Sequence, residues 1–470
     1  MLCLFSFSVC GCTFSSCLYA DVVSLFYDGN MTNSIYFDPD SGAQKAHDVG
    51  ETRLRATHPL YRDLAEAAQN IPVSAHCFTM AKPGGSVCNL DCVYCFYLEK
   101  EKLYPERQRD WRMNDDTLSR YIAQQIDAQQ GDEVVFSWQG GEPTLLGVVF
   151  YQRAFELQQQ YVANKSVSII NTFQTNGINI DETWALLFKE HQVLVGISID
   201  GPQHLHDAYR VKRNGEPTFE KVMAAISILK HHGVPFNTLT VVHDLNGEHP
   251  EAVYEFLVSI GSNFLQFIPL IERVATSEEG GLTLVQPDVP NADVTNWSVG
   301  ERQFGDFLCR MFDVWVARDV GKVFVQMFDS TLASHLGYPA TLCSHAAQCG
   351  SNFAIEANGD VYACDHYVYP EHFLGTIYED TLTSIKESVA NRAFGLAKSA
   401  NLAKKCVVCR WRFACHGGCP KHRFKFDDDS QNEYHYLCAS YAMYFAHTSL
   451  KMAQMVSLIS RGKPPFLVMK

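Results

Sequence analysis

Three thiols sit within eight residues at Cys88-Asn-Leu-Asp-Cys92-Val-Tyr-Cys95, a C-x3-C-x2-C spacing. Gaps this short strain a disulfide. They suit thiolates gathered on a metal or an iron–sulfur cluster. Three ligands on a four-iron cube leave one iron open for a small chelating ligand. A zinc ion wants a fourth ligand, and only His76 and Cys77 are close in sequence. Spacing alone leaves both readings open.

A second concentration lies in the C-terminal third. Cys343, Cys349 and Cys364 are followed by Cys406, Cys409, Cys415, Cys419 and Cys438. Eight thiols complete two tetrathiolate sites, but spacing cannot say which four go together. A zinc ribbon on Cys406, Cys409, Cys415 and Cys419 would strand the other four. Of 17 cysteines in 470 residues, these two regions hold eleven. Cys77 and Cys309 stand alone. Cys3, Cys10, Cys12 and Cys17 fall in the first stretch.

That stretch, residues 1–20, carries no charge, and the first basic residue is Lys45. A secretory signal wants a basic start, and serines, Thr13 and Gly11 interrupt any membrane span of about 20 residues. Residues 1–74 are therefore expected to be a poorly ordered N-terminal extension, with Met31 and Met80 as later starts. The chain carries 38 Lys+Arg against 52 Asp+Glu, a net charge of −14. That balance disfavours a nucleic-acid partner, which needs basic surface. At 47% hydrophobic and 19% charged residues the chain is globular.

The middle must position these thiols. Val134–Trp138, Val167–Thr175, Leu194–Ile199, Phe236–Val242 and Phe264–Leu270 have strand length and β-branched or aromatic content. Helix-length segments alternate with them: Thr183–His191, Thr218–His232, His249–Ile260 and Arg302–Arg318. Repeated β-α units predict an α/β fold with a parallel sheet, whose chemistry gathers at the C-terminal strand ends. Gln139-Gly-Gly-Glu-Pro143, Gln174-Thr-Asn-Gly177 and Ser198-Ile-Asp-Gly-Pro202 fall at such ends. On this reading Val134–Trp138 is the first strand, and the three-thiol loop lies ahead of the first strand–helix unit.

With Tyr94 before its third cysteine, the C-x3-C-x2-C run resembles the signature of radical S-adenosylmethionine enzymes. The resemblance implies a partial (β/α)6 TIM-like barrel, and a 4Fe-4S cluster on Cys88, Cys92 and Cys95 whose open iron binds S-adenosylmethionine. Gln139, Gly140, Gly141 and Glu142 look like the family's motif for the methionine amine. Ser198 and Asp200 fall where the family contacts the ribose, and Arg210 could pair with the methionine carboxylate. Tyr97 and Leu270 match further cofactor contacts. The eight later cysteines resemble a SPASM extension with two auxiliary 4Fe-4S clusters. It implies Cys343, Cys349, Cys364 and Cys419 for one, and Cys406, Cys409, Cys415 and Cys438 for the other.

Taken together, residues 80–455 resemble the anaerobic sulfatase-maturating enzymes. These oxidise a Cys or Ser of a sulfatase, in a Cys/Ser-x-Pro-x-Arg segment of the unfolded polypeptide, to Cα-formylglycine. Asp365, directly after ligand Cys364, matches the family's catalytic base. A carboxylate with a reference pKa of about 3.9 is ionised at neutral pH and can accept a proton. The expected organisation is the extension (1–74), a radical barrel (75–335), a small cysteine-rich iron–sulfur domain (336–445), and a C-terminal helix and tail (446–470). A low-potential electron donor such as flavodoxin or ferredoxin is implied. Oxygen-labile clusters imply the cytoplasm, with no membrane partner. The rival readings are another SPASM-type maturase that forms crosslinks, and a non-catalytic iron–sulfur or zinc protein.

Overall fold

The computed structural model describes residues 55–73, 77–97, 111–276, 282–287, 289–290, 292–430 and 432–469. The expectation for residues 1–54 and the candidate ligand His76 lie outside them. Six parallel strands form the barrel wall: β1 (Phe78–Lys82), β2 (Glu133–Trp138), β3 (Ser168–Thr175), β4 (Leu194–Ser198), β5 (Phe236–Val242) and β6 (Phe264–Pro269). Each is followed by a helix: α1 (Asp115–Ala128), α2 (Val148–Val162), α3 (Glu182–Glu190), α4 (Phe219–His232), α5 (Pro250–Ser259) and α6 (Gln303–Arg318). Every strand and helix expected from the sequence is present, with ends shifted by no more than one residue.

Local chemistry sets the ends. Asn114 caps α1 by accepting from the Thr117 amide at 2.8 Å, and Asp181 caps α3 from Trp184 at 3.1 Å. Helix α4 stops at Gly233, whose φ of +69° is left-handed, after a basic last turn of Lys230, His231 and His232. The inner layer between sheet and helices is aromatic. Trp138, Phe136, Tyr121, Tyr151 and Phe173 are fully enclosed, and Trp138 meets Tyr151 edge-on at 5.7 Å.

The structure corrects three expectations. The first strand is β1, not Val134–Trp138, so the three-thiol loop follows a strand end rather than preceding the barrel. Phe78–Lys82 is only five residues long and ends in a lysine, which hides it from pattern reading. Second, the sheet does not stop at residue 335. Strand β7 (Phe324–Val325), which leads into α7 (Gln326–His335), pairs with β6, and β8 (Asn352–Glu356) pairs in parallel with β1, from Phe78–Asn352 to Lys82–Glu356. Strands β9 (Asp360–Tyr362) and β10 (Phe373–Thr376) extend that edge antiparallel. The cysteine-rich region is thus hydrogen-bonded into the barrel sheet. Third, residues 56–73 are not a loose tail. Pro59–Asp63 and Ala65–Ala68 are helical and pack on α8 (Val389–Ala400). Tyr61 is buried there, its hydroxyl 2.8 Å from His372 Nδ1.

The last long helix, α9 (Cys438–Ile459), crosses the boundary expected at residue 446 and packs along α6. Gly305 permits this contact, because a Cβ there would lie 2.7 Å from Ser440 Cα. Among the described residues no helix is long and apolar enough to cross a membrane.

Candidate active site

The C-terminal ends of the strands open into one cavity of 240 Å³. Cys88, Cys92 and Cys95 line it from the loop after β1, and Gln139, Gly140 and Gly141 from the end of β2. Ser198 and Leu270 reach it from the ends of β4 and β6. Tyr97, Arg210 and Asp365 complete the group brought together from the sequence. Gln139 is almost wholly buried, yet its Nε2 has no hydrogen-bond partner among the described residues. An orphaned donor on the wall of a cavity is what a polar ligand would satisfy.

The two glycines do something the sequence did not reveal. The Gly141 amide donates to Gly85 O at 2.8 Å, and the Glu142 amide to Val87 O at 2.9 Å. A Cβ on Gly141 would sit 2.2 Å from Val87 O. The glycines therefore clamp the segment that leads into Cys88.

Glu142 and Asp200 are not among the cavity-lining residues. Glu142 is enclosed, and accepts from the Thr144 amide (3.0 Å) and hydroxyl (2.6 Å), the Thr175 hydroxyl (2.7 Å) and the Asn176 amide (2.8 Å). Burial raises its carboxyl above the ordinary value, and these bonds oppose the rise. Asp200 accepts from Arg210 Nε (2.8 Å), the Tyr94 hydroxyl (2.5 Å) and the Val241 amide (2.9 Å). Burial works against its charge, but Arg210 prevails and holds the carboxyl below its ordinary value. Both carboxylates tie loops together behind the wall, and Asp200 fixes the orientation of Arg210.

The structure adds cavity residues that the sequence reading missed. Lys82, the last residue of β1, places Nζ 2.5 Å from Asp365 Oδ1 and 4.6 Å from the centre of the Tyr97 ring. The Tyr97 hydroxyl donates to Glu356, the register partner of Lys82 on β8. Across the cavity, Lys421 pairs with Glu272 at 2.6 Å and lies 4.3 Å over the Phe96 ring. Both ion pairs join residues more than 100 positions apart, so no local pattern could signal them.

The thiols gather in three groups. Burial raises the Cys88 thiol, and nearby Cys95 and Cys92 push the same way. Cys349 is pushed up to about 12 by burial, with Cys419 and Cys343 beside it. Cys364 is raised by burial, with Cys343 and Cys419 as neighbours. Cys415 is pushed up to about 12 by burial, beside Cys438, Cys406 and Cys409. Cys343, Cys349, Cys364 and Cys419 thus lie in one neighbourhood, and Cys406, Cys409, Cys415 and Cys438 in another. Thiols this crowded and buried resist ionisation unless a bound cation reverses the balance. Among the described residues no three His, Cys, Asp or Glu side chains converge as ligands of a single metal ion. An all-thiol donor set spread over several corners suits a cluster.

Comparison with known proteins follows this geometry. Residues 83–257 match the family model of the radical SAM superfamily, and residues 343–410 that of the SPASM iron–sulfur cluster-binding domain. The chain is 40% identical to a serine-type anaerobic sulfatase-maturating enzyme of Bacteroides thetaiotaomicron, over 86% of this chain and 97% of that protein. It is 33% identical to a cysteine-type enzyme of Clostridium perfringens, over 78% and 95%. The solved structure of anSMEcpe with bound AdoMet and the Cp18Cys peptide has a TM-score of 0.70 at 31% identity, covering 81% of this chain and 98% of that one.

Proposed function

The chain belongs to the anaerobic sulfatase-maturating enzymes, and from that membership we propose that it oxidises the active-site serine or cysteine of a sulfatase to Cα-formylglycine. The observation that carries the proposal is one cavity shared by three groups: the three-thiol loop, the Gln139–Gly141 turn and Asp365. Identity to the serine-type relative, 40%, exceeds the 33% to the cysteine-type one, so serine is proposed as the preferred target.

Cys88, Cys92 and Cys95 would hold the cluster that binds S-adenosylmethionine. Cys343, Cys349, Cys364 and Cys419 would hold one auxiliary cluster, and Cys406, Cys409, Cys415 and Cys438 the other. When bound, the first cluster and S-adenosylmethionine supply the radical that removes a hydrogen from the target Cβ. Gln139 Nε2 and the Arg210 guanidinium, aimed by Asp200, orient the cofactor's polar end. Tyr97, Ser198 and Leu270 line its seat, and Glu142 fixes the turn that carries Gln139. Asp365 takes the proton that the target hydroxyl or thiol gives up, and Lys82 holds that carboxylate in place. Partly enclosed walls, including the Phe96 ring pinned by Lys421, limit water at the reacting carbon.

The electron donor is proposed to be a low-potential carrier such as flavodoxin or ferredoxin, and the setting the reducing cytoplasm. The test is anaerobic turnover of paired Ser-x-Pro-x-Arg and Cys-x-Pro-x-Arg peptides, with the aldehyde trapped as a hydrazone and read by mass spectrometry. Hydrazone on the serine peptide is expected. Deoxyadenosine release with no aldehyde on either peptide would overturn the proposal, and an internal crosslink would favour the other maturases.

A further inference from the structure

Among the described residues, two buried cations beside the first auxiliary thiol group have no carboxylate partner. Lys398 on α8 is fully enclosed, and its Nζ donates to the backbone oxygens of Cys343 (2.7 Å) and Ser344 (3.0 Å). Arg423 is buried in the same region. Its nitrogens donate to four carbonyls: Gly417 at 2.9 Å, Lys398 at 2.7 Å, His416 at 3.1 Å and Gly418 at 3.2 Å. A buried charge is costly unless an opposite charge faces it. The ionisable groups of acidic type near Arg423 are the thiols of Cys419, Cys349 and Cys406 and the Tyr367 hydroxyl, and Lys398 lies beside Cys349.

A third donor belongs to the same group. His435 Nδ1 accepts from the Leu437 amide at 3.0 Å, so the neutral ring carries its proton on Nε2. That nitrogen is buried and has no partner among the described residues. The ring lies so close to the backbone before Cys419 that a Cβ on Gly418 would meet it at 2.3 Å. Gly417 likewise makes room for Arg423, since a Cβ there would lie 2.8 Å from Nη2. The His-Gly-Gly-Cys segment is thus shaped to admit a cation and an N–H donor next to a thiol. The three-thiol loop is different, because its cation, Arg210, is already neutralised by Asp200.

We propose that Lys398, Arg423 and His435 form a collar of positive charge and N–H donation around the cluster of Cys343, Cys349, Cys364 and Cys419, making it a readier electron acceptor than the cluster of the three-thiol loop. Added charge on a cluster is stabilised by nearby cations and by hydrogen bonds to its sulfurs, which raises its reduction potential. Resting on the function proposed above, the balance is simple. When bound, this cluster would take the one electron, and Asp365 the one proton, that the target radical loses in becoming a carbonyl, or a thiocarbonyl that water converts to the carbonyl with loss of hydrogen sulfide.

The test is an EPR-monitored redox titration of the reconstituted full chain without peptide, so it stands apart from any assay of formylglycine. The first auxiliary signal is identified as the one lost in Cys349→Ala. Lys398→Met and Arg423→Gln should each shift its reduction equilibrium at least tenfold towards the oxidised form, about 59 mV for one electron. His435→Phe should shift it the same way by less, and Lys398→Arg should restore it. The signal of the three-thiol loop should not move. An unmoved midpoint at full iron content overturns the proposal. So does equal loss of that cluster in Lys398→Met and Lys398→Arg, which would mark Lys398 as a packing residue.

Discussion

The Lys82 ammonium lies 2.5 Å from the Asp365 carboxylate, and neither side chain reaches solvent. One residue ends the first barrel strand, and the other follows a cysteine of the C-terminal third. Removing either partner takes from the other the ion pair that offsets its buried charge. Lys82→Met should therefore cost about 3–5 kcal/mol, read as a lower unfolding midpoint in urea. Lys82→Met combined with Asp365→Asn should recover most of that loss. A double variant no more stable than the single one would show that the pair is not coupled.

Asp365→Asn alone lowers stability through the stranded Lys82, but its folded fraction still separates proton acceptance from cluster binding. The amide keeps the shape but cannot take a proton at neutral pH. Iron content and uncoupled S-adenosylmethionine cleavage should persist, while the formylglycine yield falls at least ~100-fold. Product at the wild-type level would remove Asp365 from the proton-accepting role.

Gly141→Ala tests the clamp between the β2 turn and the three-thiol loop. Its Cβ would collide with the Val87 and Ser86 carbonyls, which are backbone and cannot rotate away. The loop must shift and its cluster should be lost. Iron analysis should give about eight irons per chain in place of about twelve, with no deoxyadenosine formed. Full iron and normal cleavage would mean that the loop tolerates the shift.

His206 makes stability depend on pH. It is enclosed, its Nδ1 accepts from the Asp200 amide at 3.3 Å, and its Nε2 lies 3.0 Å from Thr218 Oγ1. Burial pushes its pKa down to about 4 from 6.5. A proton on Nδ1 would point at an N–H, so the folded protein keeps the ring neutral. The stabilisation is complete above pH 6.5 and is lost as pH falls through 4, about 3 kcal/mol in all. Urea unfolding at pH 7.5 and pH 4.5 should show this loss, and His206→Gln should flatten it. A profile unchanged by the substitution would assign the acid sensitivity elsewhere.

What could be read from the sequence was local. Cys88, Cys92 and Cys95 announce themselves by spacing, and β2 to β6 by apolar runs, the first three closed by Gly, Asn or Asp. Asp365 is recognisable because it touches a cysteine in the chain. Lys82 is not, because its partner lies on the far side of the barrel in sequence. Glu142 and Asp200 were expected against the cofactor, yet the structure spends them on Thr144, Thr175, Asn176, Arg210 and Tyr94. Burial and partner choice, which composition does not encode, decided that difference. The same holds for Arg423, whose four carbonyl contacts follow from how two glycines fold.

The parallel pairing of β1 with β8 also sets an order of events during synthesis. Strand β1 leaves the ribosome early, but its outer neighbour, Asn352–Glu356, follows some 270 residues later. Until then β1 presents an open hydrogen-bonding edge, the kind of edge that recruits other chains. The nascent barrel must wait with its first thiol loop already exposed, and only the arrival of the last third closes the sheet and brings Asp365 to Lys82.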